Sequence, residues 1–535
     1  MDVPCLILLM FQILKFCGYL TEMLSLLSFA LCVAALMLIV VIYFALNVRK
    51  MHHYWRTRGI PFLGPQQDLA LSKLNKSLTL QKFYRQLAPH PCGGIWFAGR
   101  PMLVVRDPQL IQTLLIKAFS HFTDRGVLMP EDINPISANL FNLRGERWRN
   151  LRMKVVHSFS NSKLKAIYTL LEECIQNLDA YLSEKLQDSP ELETEDLMTR
   201  FAMDVIGTSS FGFDCQAISA PEKSEFLRIG RKFAPDWWMM GMRESVAYNL
   251  HPSIISWFRM SNLPPDFIHF FTTITKESVR ARNQSSIKRN DFLQNLIKFQ
   301  EEEKVMLQRD DCKDKEPLFT DNILAGEVFL FFIGGFESTS LTLSFCLYEL
   351  ALNPNIMDKL HDEIREVMDA HNGKRDYDTF KKMPYLECVI FETLRKYPPL
   401  GWLDRICTKP FKDPGSSLVI DKNTNLIIPF HALHNDPQYF PEPDKFDPER
   451  FSEENKPNIV PGTYFPFGNG PRICTGMRFS LLEMKAVLSL IIGKYTVHPT
   501  NRTPIPLAFV RRSFFNKSTQ GIHLRFQRRS SMAAT

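Results

Sequence analysis

No two cysteines in this chain are spaced as C-x-x-C, and no Cys/His cluster has zinc-ligand spacing. Zinc modules and thioredoxin-like redox motifs are therefore excluded. The eleven cysteines are odd in number and irregularly placed. They do not form the framework of a secreted disulfide scaffold, and free thiols in a reducing compartment are expected. Strong charge of one sign is also lacking. The formal net charge is +7, with Lys and Arg spread along the chain. That gives no footprint for nucleic acid, and it suits an anionic membrane surface or an acidic protein partner. Gly-, Ser- or Pro-rich linkers, internal repeats and low-complexity tracts are missing, so nothing divides the 535 residues into separate domains. What is present is globular composition, 45% hydrophobic and 23% charged, with ample material for a large core.

Uncharged runs long enough for a bilayer are scarce. Leu24 to Leu46 is 23 residues without a charge, about 34 Å as a helix, which matches a membrane core. Arg49, Lys50, Arg56 and Arg58 follow it, whereas Asp2, Lys15 and Glu22 are the charges before it. The positive-inside rule places the C-terminal side in the cytosol. The run is long for a cleaved signal peptide, and there is no Arg-rich transit peptide. Residues 24–46 are thus expected to be a single-pass, uncleaved anchor in the endoplasmic reticulum membrane. The apolar run 3–14 is too short to span. Met23 directly precedes the long run, so 1–22 reads as a gene-model extension or a lumenal segment. Residues 47–65 are basic and then rich in Pro and Gly (Gly59-Ile-Pro61-Phe-Leu-Gly64-Pro65). They predict a stiff elbow ahead of one large domain, 66–535.

Within that domain helical periodicity dominates. Ile95 to Val105 predicts a hairpin around a glycine turn, followed by an Asp107 N-cap and Pro108 at the first helical position. Short strands are expected at Leu418–Ile420 and Leu426–Pro429, and helical stretches at roughly 165 to 213 and 321 to 352. Thr320 or Asp321 can cap the latter, and Asn353-Pro354 ends it. It contains Gly334-Gly335-Phe336-Glu337-Ser338-Thr339. Two adjacent glycines cost roughly 1 kcal/mol each relative to alanine, and a local opening of the helix over a cofactor is one reason to keep them. Trp237-Trp238-Met239-Met240 and the apolar stretch to Phe271 suit either a membrane-dipping flap or buried core.

The densest signal is Phe467-Gly-Asn-Gly470-Pro-Arg472-Ile-Cys474-Thr-Gly476, followed by the helical run Leu481 to Leu488. A thiolate at a helix N-terminus is stabilised by unpaired N–H groups and the dipole. Gly470 and Gly476 allow close backbone approach and positive φ. Arg472 offers a fork of donors for an acidic group. A soft thiolate in such a loop suits iron held in a macrocycle.

This loop resembles the haem-binding loop of the cytochrome P-450 superfamily, whose general ligation is through a Cys thiolate. The resemblance covers nearly the whole chain after residue 50. It is nearest to the microsomal, xenobiotic- and lipophile-metabolising branch abundant in insects, as Tyr397-Pro-Pro-Leu400 and Asp404-Arg405-Ile-Cys407 suggest. It implies a mostly α fold with small β-sheets, a haem b ligated by Cys474, and Phe467, Gly470, Arg472 and Gly476 forming its loop. Gly335, Glu337 and Ser338 match the family's oxygen-activation motif, with Ser338 at the usual threonine and Thr339 next to it. Trp148 and Arg152 share a helix face and, with Arg405 and Arg125, match propionate-binding positions. Glu392, Arg395 and Arg450 match the family's charge network behind the haem loop.

The implied activity is insertion of one oxygen atom from O2 into a lipophilic molecule. The implied partners are an NADPH-dependent flavoprotein reductase, cytochrome b5 and the bilayer. Segments 121–143, Tyr397 to Leu403 and Ser513-Phe514-Phe515 are expected to shape the substrate pocket. Two other uses stay open: a haem-thiolate isomerase or dehydratase, against which Glu337-Ser338 argues, and a non-catalytic haem protein, for which the Ser-for-Thr change leaves room.

Overall fold

The computed structural model describes residues 53–64, 74–97, 100–126, 131–233, 261, 263–285, 289–309, 316–511 and 513–529, with residues 12, 34–39, 41–42, 45–46 and 49 from the N-terminal stretch. Among the described residues helices dominate, with three small sheets. Strands β1 (Cys92–Phe97) and β2 (Arg100–Val105) form the expected hairpin. Asp107 caps the next turn by accepting the Leu110 N–H at 2.7 Å. The largest sheet adds β7 (Asn425–Ile428), parallel to β2, and β4 (Leu403–Ile406), antiparallel to β7. Only the last crossing is local in sequence. The parallel pair requires a long excursion of the chain, and the helical core occupies that excursion.

The helical stretch expected at 165–213 is two helices. The first runs Asn161–Asp188 and the second Thr194–Ile206. Pro190 cannot continue the ladder, and strand β3 (Glu191–Glu193) instead pairs with β9 (His523–Arg528). The Glu193 carboxylate then caps the second helix, accepting the N–H groups of Glu195 (3.0 Å) and Asp196 (2.6 Å).

The helix Asp321–Leu352 has the expected bounds, and Thr320 Oγ1 caps it from the side of Ile323. At 1.5 Å per residue it is about 48 Å long. Among the described residues it alone is long and apolar enough to cross a membrane, yet 67% of its most apolar window is buried. It is the core spine. Phe267 and Phe271, on the helix Pro265–Gln284, pack into that core with Phe329 and Phe332. This end of the suggested flap is therefore interior; residues 234–260, which hold Trp237 to Met240, lie outside the described residues.

The spine shows no interruption at its glycines, contrary to the expected opening. The two glycines answer to different neighbours. A Cβ on Gly335 would stand 2.4 Å from Ile206 Cδ1, so Gly335 permits close packing of the Thr194–Ile206 helix. A Cβ on Gly334 would meet nothing within 4 Å.

The elbow is bolted to the sheet. Gly94 donates to the Pro61 carbonyl (2.7 Å), Leu63 donates to the Gly94 carbonyl (2.9 Å), and Trp55 is 1% exposed against Tyr54 and Trp96. Of the expected anchor, residues 34–39, 41–42 and 45–46 are helical, and Met37, Leu38, Val41, Ile42 and Leu46 are exposed. Its other residues, and Met23 with nearly all of 1–22, lie outside the described ones.

The two glycines make a paired prediction. Gly335→Ala should destabilise the fold by ~1–3 kcal/mol through overpacking. Gly334→Ala, which meets no atom, should be neutral or stabilising by up to about 1 kcal/mol. Denaturant midpoints followed by far-UV circular dichroism would separate them; equal shifts would refute the assignment.

Candidate functional site

Cys474 sits two residues before Gly476, the N-cap of the helix Met477–Lys494. Its N–H donates to the Phe467 carbonyl at 2.9 Å, which closes the loop. Of the seven described cysteines, all free, it alone is exposed. That exposure is to a recess dense with protein, because burial is the largest influence on its thiol and pushes its pKa up. The N–H groups of Gly476 and Met477, with Arg152 and Arg125, act in the opposite direction and favour the thiolate. The helix terminus thus contributes with the expected sign, while burial outweighs it. Gly470 has φ +73°, and a Cβ there would stand 2.1 Å from the Leu115 carbonyl oxygen, so only glycine fits. Gly476 differs from expectation: its φ is −81°, an ordinary value for a helix N-cap.

Arg472 also departs from its expected use. Nε donates to Thr123 O (2.5 Å) and Nη2 to Leu143 O (2.8 Å), with longer contacts from Nη1 to Leu140 O and Phe141 O (3.4 Å each). Its guanidinium lies 4.2 Å from the centroid of the Trp148 ring. It fastens the 123–143 segment to the cysteine loop rather than presenting a free fork. Leu140 is held on its other side as well, since its N–H donates to the buried Glu327 at 2.5 Å.

Around this staple the fold gathers the other predicted arginines. Arg405 lies on β4, and the β-bridge Asp124↔Ile406 brings that strand beside the segment carrying Arg125. Asp404 pairs with Arg125 (3.7 Å) and Asp124 with Arg472 (3.8 Å). Arg125 also lies 3.8 Å over the Phe141 ring. Burial lowers the pKa of Arg405 to about 9 and of Arg472 to about 8, and repulsion from Arg125 adds to both. A guanidinium does not lose its proton in a protein, so these depressions express a need for negative charge. The Nε groups of Arg125 and Arg405 are buried without a hydrogen-bond partner among the described residues. Together with Arg152, four guanidiniums face two carboxylates. That donor set fits a group bearing two acidic arms beside a thiolate-ligated metal, as haem does, and the open side of Gly334 fits a flat neighbour.

On the spine, Ser338 Oγ donates to the Gly334 carbonyl at 2.7 Å, one turn back on the same face. Glu337 turns to a C-terminal hairpin, closed by the antiparallel bridge Phe509↔Ser518, where its Oε1 lies 2.5 Å from Lys517 Nζ. Thr339 is 2% exposed and lies one turn from Gly335, on the side packed against Ile206. Glu337, Ser338 and Thr339 therefore point to three different surroundings.

Behind the loop, Glu392 and Arg395 are both wholly buried and form a bidentate pair (2.7 and 2.8 Å). Arg395 also donates to the carbonyls of His434 (2.9 Å) and Pro443 (2.8 Å), and Arg450 stands 3.6 Å from Glu392. All three members meet as expected. His434, which no local motif marks, adds a link: its Nε2 accepts the Phe465 N–H at 3.2 Å, immediately upstream of the cysteine loop. Asp124, Glu327 and Lys517 were likewise not singled out from sequence, and Asp404 was named there without a role in the site. Asp404 beside Arg405 was the one local signal among them.

Two of the three expected pocket segments meet, Tyr397 to Leu403 and the stretch at Ser513 to Phe515. Asn516 Nδ2 donates to Pro398 O (2.8 Å), and Trp402 packs edge-on against Phe514 (5.6 Å). A separate recess of about 470 Å3 lies at the N-terminal end of the spine, lined by Pro135, Ile268, Asp321 and Ala325 among others, away from Cys474.

The family model described as Cytochrome P450 matches residues 56–525. Cytochrome P450 6k1 of Blattella germanica is 35% identical, over 93% of this chain and 97% of its own length. Probable cytochrome P450 6a20 of Drosophila melanogaster is 35% identical, over 91% and 98%. Cytochrome P450 9e2 of Blattella germanica is 33% identical, over 95% and 100%.

Arg395→Ala leaves Glu392 buried without its partner and should cost ~3–5 kcal/mol. The expected product is haem-poor, aggregating protein; normal haem content by absorbance would contradict it. Burial holds the His434 imidazole well below its usual pKa. It stays neutral in the folded state, whereas the unfolded chain takes up a proton near pH 6.5. Its contribution is therefore present above that pH and is lost as pH falls below it. His434→Gln should make the acid loss of stability shallower by ~1.4 kcal/mol per pH unit, read from denaturant midpoints between pH 6 and pH 5.

Proposed function

We propose, from the premise that the chain belongs to the cytochrome P450 family, the roles by which its residues serve that family's chemistry. The protein is a haem-thiolate monooxygenase. The observation that carries its site is Cys474, receiving the Gly476 and Met477 N–H groups with Arg152 and Arg125 acting on it. When bound, the haem supplies O2 activation, with electrons from NADPH delivered by a reductase.

Cys474 is the iron ligand, and the two N–H groups stabilise its thiolate form. Arg125, Arg152 and Arg405 would hold the two acidic arms of the haem, and Arg472, stacked on Trp148, keeps the chain at Thr123 and at Leu140 to Leu143 in place. Glu392, Arg395 and Arg450 fix the backbone behind the loop. Ser338 has its proton on the Gly334 carbonyl and its lone pairs free, so its oxygen can accept a proton-bearing water on the Gly334 face. Glu337 is the acid that feeds that face. Trp402 and Phe514 make an apolar, aromatic wall that keeps water out and favours a lipophilic substrate.

Residues 24–46 anchor the domain 66–535 in the endoplasmic reticulum membrane through the 47–65 elbow, with the domain facing the cytosol. The docking of Trp55 on the sheet supports a fixed tilt at the bilayer. Cytochrome b5 serves as a second electron donor.

Membranes containing the protein should give the red-shifted Soret band of a thiolate-ligated carbonyl complex in the reduced-CO difference spectrum. Cys474→His, in folded and haem-loaded protein, should abolish that band and NADPH-dependent product together. A parent spectrum of the imidazole type would overturn the assignment.

A further inference from the structure

Glu337, the acid assigned to proton supply, is not free to act. Its side chain is 3% exposed, and Lys517 Nζ lies 2.5 Å from its Oε1. Lys517 comes from a segment 180 residues away in sequence that has no part in the motif. Its backbone is fixed on both sides: its N–H donates to Phe515 O (3.0 Å) and its carbonyl accepts from Val510 (2.8 Å). The flanking residues are fixed too. Asn516 binds the Pro398 carbonyl, and the Ser518 N–H reaches Glu195 Oε2 at 3.4 Å. Glu195 stands in the first turn of the Thr194–Ile206 helix, the element whose Ile206 packs on Gly335. Lys517 thus pairs with Glu337, and the Ser518 N–H places the Glu195 carboxylate beside the same residue, where the ammonium's charge also reaches it. Lys517 attracts the Glu195 charge, while Glu193 and Glu337 repel it; with burial the dominant influence, the Glu195 carboxyl is pushed up to about 7. Burial also raises the Glu337 carboxyl, and Lys517 opposes that rise.

We propose that Lys517 is a positioning residue for the reaction: it holds Glu337 as a carboxylate turned to the C-terminal hairpin, and Glu195 competes for the same ammonium and sets how readily Glu337 is released. The proposal rests on the monooxygenase reading and deepens it. When Glu195 is ionised, Lys517 is shared and Glu337 is held less tightly. When Glu195 is protonated, Lys517 belongs to Glu337 alone. The charged groups acting on this cluster are Lys517, Glu193, Glu195 and Glu337 themselves.

The test uses the full chain in membranes with its reductase, as parent, Lys517→Met, Lys517→Arg, Glu195→Gln and the double variant Lys517→Met/Glu337→Gln. Carbon monoxide spectra first establish thiolate ligation and haem loading. Lys517→Met should show a new protonated-carboxyl band in infrared difference spectra, lost in the double variant. Its product per NADPH should fall roughly tenfold, as expected for a misplaced reacting group, with KM unchanged. Lys517→Arg should restore the parent on both counts. Glu195→Gln should remove the inflection in coupling against pH that the parent shows near pH 7.

A parent that lacks the thiolate band fails the underlying reading. An active parent whose Lys517→Met variant has parental infrared and coupling overturns the present inference alone. Were Lys517→Met to load no haem, a Glu195→Gln profile identical to the parent's would overturn it equally.

Discussion

Positive charge held in the interior with too little negative charge beside it governs the rest of this structure. Burial lowers the pKa of Arg125, Arg152, Arg405 and Arg472, repulsion from Arg125 adds to the last three, and Asp124 and Asp404 do not offset it. Burying an ion without compensation costs several kcal/mol, so the fold must supply partners or leave room for them. It does both. Arg472 is surrounded by the backbone carbonyls of Thr123, Leu140, Phe141 and Leu143, whereas Arg125 and Arg405 keep Nε groups with no hydrogen-bond partner among the described residues. The first arrangement is architecture. The second leaves buried donors for an acidic group, which is the use proposed above for Arg125 and Arg405.

The spine resolves a similar conflict. A 32-residue helix that is apolar on nearly every side is suited to burial and poorly suited to carrying polar chemistry. Its hydroxyls answer this by returning to helix carbonyls: Ser338 to Gly334, Thr342 to Ser338 and Ser344 to Ser340. Its acids are answered from outside, Glu327 by the Leu140 N–H and Glu337 by Lys517. Each such partner comes from a segment that lines the site. The polar groups of the spine therefore also fix the distances between the covering segment, the hairpin and the helix.

Local chemistry was legible in the sequence and long-range chemistry was not. The Asp107 and Thr320 caps, the hairpin and the ends of the spine depend on residues within a few positions of each other, and they stand as read. The Glu392–Arg395 pair is local as well. Its use, gripping carbonyls at His434 and Pro443, is not. The break at Pro190 carried a signal that helical periodicity outweighed. Gly334 and Gly335 were read as a pair because adjacency in sequence suggests one cause. In a helix, adjacent residues point about 100° apart, so two causes are the natural result. Arg472 matched a motif position, but a motif does not say which of five donors is already engaged. Lys517 had no signal at all, since only the folded hairpin brings it to Glu337.

Serine in place of threonine at 338 follows from the same geometry. The bond to the Gly334 carbonyl needs a hydroxyl and nothing more, and serine supplies it. What serine lacks is the β-methyl, which restricts χ1 in a helix. The hydroxyl is then held by its hydrogen bond rather than by its rotamer. Groups held by one hydrogen bond turn more easily than groups held by branching, so the proton-delivery role proposed for Ser338 leans more on its neighbours. Glu337 is the adjacent residue, and its charge and direction are set by Lys517. Loss of stiffness at one position of the pair is thus matched by an ionic restraint on the other, and that restraint is anchored in the hairpin that also carries the aromatic wall of the pocket.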